Sequence, residues 1–383
     1  MTAEADRTTT TQAPTIYDVA SAAGVSIASV SRVLNGQGNP RPDTRERVLQ
    51  AVAELGFVPD SAARALSVRL KEVVGVVVRR PQWRHDQNIF ANEDENLLFP
   101  DMINRGMEIV AARHGFDLLI RSVDLNEPGT PRRVFELARK SDGLILHDHI
   151  LNPDDLDRLA RQVPIVTLAG VRTPFTANVH GDNEGGMRAL ARHLILDHGY
   201  RTLSYVAGHV GSPDSMARGR ALAEEAKAAG ALLLEGEEWR GGYQAAGGAQ
   251  VIEQLIASGS ALPRAIVCAN DNSAMGVLHA LVQHGISVPD DVAVTGFDDI
   301  PVARHLRPQL TSVRQSVQGL GVTAFETVYS MIERGPGSTD VRGRDIALPA
   351  QLIRRESCGC DADFSRVGLA DHFRLPDGSP GHR

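Results

Sequence analysis

The chain has 383 residues and a net charge of −7; 42% of it is hydrophobic and only 4% aromatic. That length calls for two or three domains, and the composition is that of a globular protein with an aliphatic core. The acidic balance argues against bulk electrostatic attachment to nucleic acid, although the first 71 residues, with 8 Lys/Arg and 7 Asp/Glu, are close to neutral.

Residues 1–14 are polar and threonine-rich and read as a disordered lead-in. They lack the basic start and apolar centre of a signal peptide. No apolar run approaches the roughly 18 residues of a membrane span. Three cysteines, Cys268, Cys358 and Cys360, fit a reducing compartment. A cytoplasmic location without membrane contact is expected.

Residues 15–60 carry the most specific pattern. Ile16, Val19 and Ala20 recur at helical spacing, and Gly24 ends that helix where positive φ is needed. Ser26 caps a second helix by accepting an N–H from Ala28 or Ser29. Val30, Val33 and Leu34 face inward, and Ala20 and Ala23 let the two helices cross closely. Ile27, Ala28, Ser29, Ser31 and Arg32 stay on or near the outer face. This is a helix-turn-helix pattern, whose second helix presents short side chains and one arginine to a major groove. After a Gly/Asn/Pro loop, a third helix is expected over 43–55, with Val48, Leu49, Val52 and Leu55 apolar and Gly56 as its stop. Phe57 and Val58 close the small core.

Here the chain resembles the lac-repressor (LacI/GalR) family. The matching residues are Asp18-Val19-Ala20, Ala23-Gly24-Val25-Ser26, Val30-Ser31-Arg32-Val33-Leu34-Asn35 and Thr44-Arg45. The resemblance implies a homodimeric, sequence-specific regulator, most often a repressor, on near-palindromic operator DNA. DNA contacts are then expected from Thr15, Tyr17, Ser26, Ile27, Ala28, Ser29, Ser31, Arg32, Asn35 and Arg45, with Arg41 and Arg47 nearby.

Residues 61–71 contain a short alanine-rich helix with no large apolar face, marginal alone in water. In the resembling family it is a hinge helix that orders on DNA. The resemblance gives Ala63, Arg64 and Leu66 its contacts, with Leu66 as the minor-groove wedge.

From Glu72 strands and helices alternate in two series: strands near 73–78, 118–120, 144–146 and 165–168, then near 203–206, 265–268 and 292–295. A long helix follows at 317–333 and a late strand at 345–348. This is an α/β pattern of two doubly wound lobes with a cleft between them. The resemblance extends over 72–357 to a two-lobed, periplasmic-binding-protein-like core for effector binding and dimerisation. It implies three crossings, with lobe 1 near 72–172 and 316–339 and lobe 2 near 173–315 and 340–357. Residues 358–383 read as a flexible tail without leucine heptads. The stretch Arg80–Glu95, with Trp83, His85 and Phe90, departs from the family as an insertion beside the cleft.

The family alignment points Arg218, in Ser215-Met216-Ala217-Arg218, into the cleft, together with Asn270, Asp298, Tyr243 and Gln315. Asn270 and Asp298 follow strands, where open α/β sheets bind ligands. Arginine donors and aspartate acceptors suit vicinal hydroxyls, so a sugar, polyol or nucleoside-like effector is expected. Ala169-Gly170 stands where many members have an aspartate.

Catalysis is not expected. Asp298-Asp299 and His147-Asp148-His149 form no nucleophile–base–orienter set. Gly319-Leu320-Gly321 lies inside a helix and lacks a third glycine, and there is no Walker loop, so no cofactor is expected. Cys358-Gly359-Cys360 has the look of a ligand pair, but no second pair completes a zinc site, and no metal is expected.

Overall fold

In the computed structural model, residues 14–34, 40–57, 70–79, 98–125, 127–147, 149–170, 172–335 and 341–361 are described, apart from the side chain of Leu98. They divide into two compact units, residues 1–72 and 73–383. Among the described residues no helix is long and apolar enough to cross a membrane.

The first unit is three helices: α1 (Ile16–Ala23), α2 (Ile27–Leu34) and α3 (Pro42–Leu55). Their core is Val19, Ala20, Ala23, Val30, Val48 and Ala51, with Ile16, Val33, Leu34, Val52 and Phe57 around it. Alanines at the crossings leave room for the valines, as the spacing predicts. Leu49 and Leu55, expected inward, are 47% and 37% exposed. Ala51 takes the inward place instead, because the face of α3 toward α1 runs through Val48, Ala51 and Val52.

The first lobe of the second unit is built on a six-stranded parallel sheet in the order β11-β5-β4-β3-β1-β2. Its strands are β1 (Val73–Arg79), β2 (Asp117–Val123), β3 (Gly143–His147), β4 (Ile165–Leu168), β5 (Ala177–Gly181) and β11 (Asp345–Leu348). Helices cover both faces, which is why β3 and β4 are buried along most of their length and β1 carries Val73, Val74, Val76, Val77 and Val78. On one face α4 (Leu98–His114) and α11 (Val317–Arg334) bury Met107, Ile145, Val166, Phe325 and Val328. On the other, α5 (Thr130–Ala138) and α6 (Pro153–Ala160) bury Val77, Leu137, Leu144, Leu146 and Leu159.

The second lobe has four parallel strands in the order β7-β6-β8-β9. They are β6 (Thr202–Val206), β7 (Leu232–Leu234), β8 (Ala265–Cys268) and β9 (Ala293–Thr295). Around them pack α7 (Asn183–Arg192), α8 (Pro213–Ala228), α9 (Ala245–Ala257) and α10 (Asp271–Gln283). A π-helical turn, His193–Asp197, continues α7. The antiparallel pair β10 (Ser312–Gln315) and β12 (Ala350–Ile353) carries the chain to and from the first lobe.

The lobe boundaries differ from the expected ones. Residues 177–181 and 345–348, assigned to the second lobe from the sequence, are strands of the first-lobe sheet. The crossings therefore fall after β5, β10 and β11. β5 reads Ala-Asn-Val-His-Gly and shows no apolar run. Its polar positions are satisfied across the sheet: Thr167 donates to Asn178 Oδ1 at 2.9 Å, and Asn178 Nδ2 donates to Asp345 Oδ1 at 2.9 Å.

Candidate functional site

Local capping fixes the ends of α1 and the start of α2. The Asp18 carboxylate accepts from both the Thr15 amide and the Thr15 hydroxyl at 2.7 Å, which holds its pKa below the ordinary value. Gly24, at φ +64, turns the chain, with Val25 N–H donating to Ala20 O at 3.1 Å. Ser26 Oγ then accepts from Ser29 N at 3.2 Å and lies 2.9 Å from Ser29 Oγ. Tyr17 is 68% and Ile27 41% exposed. Ala28, Arg32, Arg41 and Arg45 are also exposed, while Ser29 and Ser31 are half-buried. Arg47 Nε approaches Asp43 Oδ2 at 3.4 Å within α3. Asn35, Ala63, Arg64, Leu66 and the Arg80–Glu95 stretch lie outside the described residues.

In the second unit the five residues expected to line the cleft fall in one neighbourhood. Ser212 caps α8, accepting from Ser215 N at 3.3 Å, and this sets the register that turns Arg218 inward. Arg218 is 2% exposed. Its Nε donates to Asn183 Oδ1 at 2.7 Å and its Nη1 to Ala269 O. The guanidinium lies over the Phe297 ring, 3.7 Å from the centroid. Nη1 also stands 3.8 Å from Asp298 Oδ1, and Nη2 3.6 Å from Asp214 Oδ2. Asp298 Oδ1 accepts from Gln315 Nε2 at 2.7 Å.

Asn270 caps α10 through its Oδ1 and donates through Nδ2 to the Tyr243 carbonyl at 3.1 Å. The Tyr243 hydroxyl meets Ser212 Oγ at 2.8 Å. Tyr243, Asp298 and Asp299 all have left-handed backbone, at φ +67, +111 and +53. Such strain in bulky or charged residues concentrates at ligand sites.

The electrostatics are those of a buried polar cluster. Burial pushes the Asp298 carboxyl up to about 7, against the opposing pull of Arg218 and the Gln315 amide. Burial likewise pushes the Tyr243 hydroxyl far up, so it stays neutral. Gln315 Oε1 is buried and accepts no hydrogen bond among the described residues. It sits against the backbone of Gly181, at the end of β5, where any side chain would occupy its space. Gln315 thus stands where the two lobes meet. At the C-terminal ends of β3 and β4, a small concavity of the first lobe is lined by His147, His149, Ile150, Thr167 and Gly170. Ala169 there has φ +53.

The neighbouring acids do structural work. Asp271 accepts from Ser312 Oγ at 2.6 Å and from Ile300 N at 2.8 Å. Asp299 pairs with Arg355 at 2.6 Å and Arg314 at 2.7 Å. Asp298 and Asp299 thus engage different partners and form no carboxylate pair.

Sequence reasoning missed Asn183 and Phe297 as the seat of Arg218. Phe297 lies inside the singled-out Gly296-Phe297-Asp298-Asp299, but its use depends on a helix that arrives from elsewhere in the chain. It also missed the partners of Cys358 and Cys360. The expectation that no second ligand pair exists is overturned, because His193 and His198 stand beside both thiols.

Residues 15–60 match the family description "Bacterial regulatory proteins, lacI family", and residues 191–358 match "Periplasmic binding protein-like domain". The chain is 33% identical to the HTH-type transcriptional regulator GalS of Salmonella typhimurium, over 90% of this chain and 96% of that one. It is 30% identical to catabolite control protein A of Priestia megaterium, over 90% and 98%. Among solved structures it is similar to the lac repressor dimer bound to operator and the anti-inducer ONPF, with TM-score 0.75 and 26% identity over 91% of this chain and 99% of that one. A complex of the transcriptional regulator CelR with cellobiose gives TM-score 0.61 and 28% identity over 90% and 99%.

Proposed function

Because the chain belongs to the LacI family of bacterial transcriptional regulators, we propose that it is a homodimeric cytoplasmic repressor released or engaged by a polyhydroxylated effector. That effector is a sugar, polyol or nucleoside-like molecule, bound between the lobes against Arg218, Asp298 and Gln315. The observation that carries the effector class is the buried, unfilled acceptor Gln315 Oε1 beside the Asp298 carboxyl and the Arg218 guanidinium. A molecule with adjacent hydroxyls donates to the first two and accepts from the third. Asn270 and Tyr243 complete the wall.

On DNA, each subunit reads half of a near-palindromic operator with α2. Ile27 and Ala28 offer apolar contact to thymine methyls, and Arg32 reads guanine. Thr15, Tyr17, Ser26, Ser29, Ser31, Asn35 and Arg45 fix the phosphates, and Ala63, Arg64 and Leu66 open the minor groove at the centre. Effector binding shifts lobe closure and thereby the separation of the paired hinge segments.

The test is a thermal-shift screen of sugars, polyols and nucleosides on the full-length protein, followed by operator titrations with and without the hit. A ligand in excess of its Kd raises the melting temperature. Gln315→Met is expected to bind operator like wild type and to lose the ligand response. A full response at wild-type ligand concentrations removes Gln315 from the site.

A further inference from the structure

Four side chains outside the candidate effector site converge in the second lobe: His193, His198, Cys358 and Cys360. Their ligating atoms all lie within 4.8 Å of one another. His193 Nε2 and His198 Nε2 are 3.1 Å apart. Cys360 Sγ is 3.4 Å from each of those nitrogens, and Cys358 Sγ is 3.5 Å from His193 Nε2. A tetrahedral zinc ion with its usual bond lengths has edges of about 3.3 Å between nitrogens and about 3.6 Å between nitrogen and sulfur. Four of the six separations lie within about 0.2 Å of those edges. We propose that these four residues form a structural zinc site that fastens the returning C-terminal segment to the second lobe.

Three local features make the convergence possible. The first is the π-helical turn after α7, where the His198 amide donates to His193 O at 3.2 Å. In a regular α-helix residues five apart diverge by about 140°; the wider turn brings both imidazoles to one side. Such turns are rare and concentrate at functional positions. The second is Gly359, at φ +96, whose amide donates to Glu356 O at 2.8 Å. In an extended chain Cys358 and Cys360 would alternate in direction; the turn aims both thiols at the histidines. A side chain at Gly359 would meet the Tyr200 hydroxyl at 3.0 Å.

The third is an outer layer of support. The Asp197 carboxylate lies 2.8 Å from His193 Nδ1, which puts the proton there and turns the lone pair of Nε2 toward the thiols. Ligating histidines are oriented in this way, and loss of such a partner weakens metal affinity about 10–100-fold. The Tyr200 ring stacks on His198 at 5.2 Å and its hydroxyl donates to Cys358 O at 2.8 Å. The Thr311 hydroxyl lies 3.1 Å from Cys358 Sγ. Two thiolates and two imidazoles select a tetrahedral, borderline-soft divalent ion over magnesium or calcium. The ion binds with release of the thiol protons and leaves a neutral centre.

The test uses tag-free, full-length protein purified under reducing conditions. Expected are one zinc per chain by elemental analysis and, after exchange, a cobalt form with tetrahedral visible bands and a thiolate charge-transfer band. Cys360→Ser and His198→Gln are expected to lose stoichiometric metal, and Asp197→Asn to bind it about 10–100-fold more weakly in competition with a chromogenic chelator. Cys358 is fully buried, so Cys358→Ser tests folding as well; Cys360, half-buried, separates the two. A reduced wild-type protein that takes up no zinc on titration overturns the proposal. So does metal retained at wild-type stoichiometry in Cys360→Ser and His198→Gln, or a Cys358–Cys360 disulfide that forms while zinc is in excess.

Discussion

Asp298 sits where a carboxylate is least at ease: buried, with a left-handed backbone and one guanidinium nearby. Its folded pKa of about 7 lies above the ordinary 3.8. Between those values the native chain keeps a proton that the unfolded chain has lost. The associated stability is therefore fully present below the ordinary pKa and disappears as pH rises through about 7. Asp298→Asn removes this dependence. In urea unfolding at stepped pH, wild type is expected to lose stability relative to the variant from about pH 4 to pH 7, by up to roughly 1.4 kcal/mol per pH unit. Parallel profiles would count against it. Arg218→Met is more severe, because Asn183 Oδ1 and the Ala269 carbonyl lose a donor and Asp298 loses its nearby positive charge. A loss of roughly 3–5 kcal/mol is expected by the same measurement. Arg218 and Asp298 were expected from short motifs at a helix start and a strand end that align with the family, and Gln315 from that alignment alone. Asn183 and Phe297 were not, because their role exists only once α7 and the end of β9 meet.

At the scale of the element, α2 is placed by its cap. Ser26→Ala is expected to lower the stability of the helical unit by about 1 kcal/mol, read by thermal unfolding with an unchanged native spectrum. Arg32→Ala is expected to leave that stability alone and to weaken a selected operator by about 1–3 kcal/mol; equal affinities in a fluorescence titration would remove Arg32 from readout. The bounds of α1, α2 and α3 could be read from the chain because glycines, a proline and short polar caps mark each end. The inward face of α3 could not, since Leu49 and Leu55 are as apolar as the Val48 and Val52 that do pack. β5 escaped for the opposite reason: its polar residues are held by cross-strand hydrogen bonds rather than by an apolar face. The π-helical turn leaves no mark in hydrophobic periodicity, and the pairing of His193 and His198 went unread with it.

For the whole molecule, the two doubly wound lobes were legible from alternation, while the exact crossings depended on which sheet recruited β5 and β11. In the proposed function, ligand and DNA are coupled through segment 61–71, of which residues 61–69 lie outside the described residues. Leu66→Ala is expected to spare ligand binding and to reduce operator bending in a phasing gel, with salt-dependent nonspecific binding retained.

The three crossings have a consequence for synthesis. The strands of the second-lobe sheet lie within residues 202–295, one uninterrupted stretch. The first lobe begins at β1 but waits for α11 and β11, both made after that stretch. Its early strands must therefore leave the ribosome with one face of their sheet covered by α4 alone and one edge open. The lobe begun first closes last, and pulse-labelled hydrogen exchange during refolding is expected to protect β6 and β8 before β4 and β5.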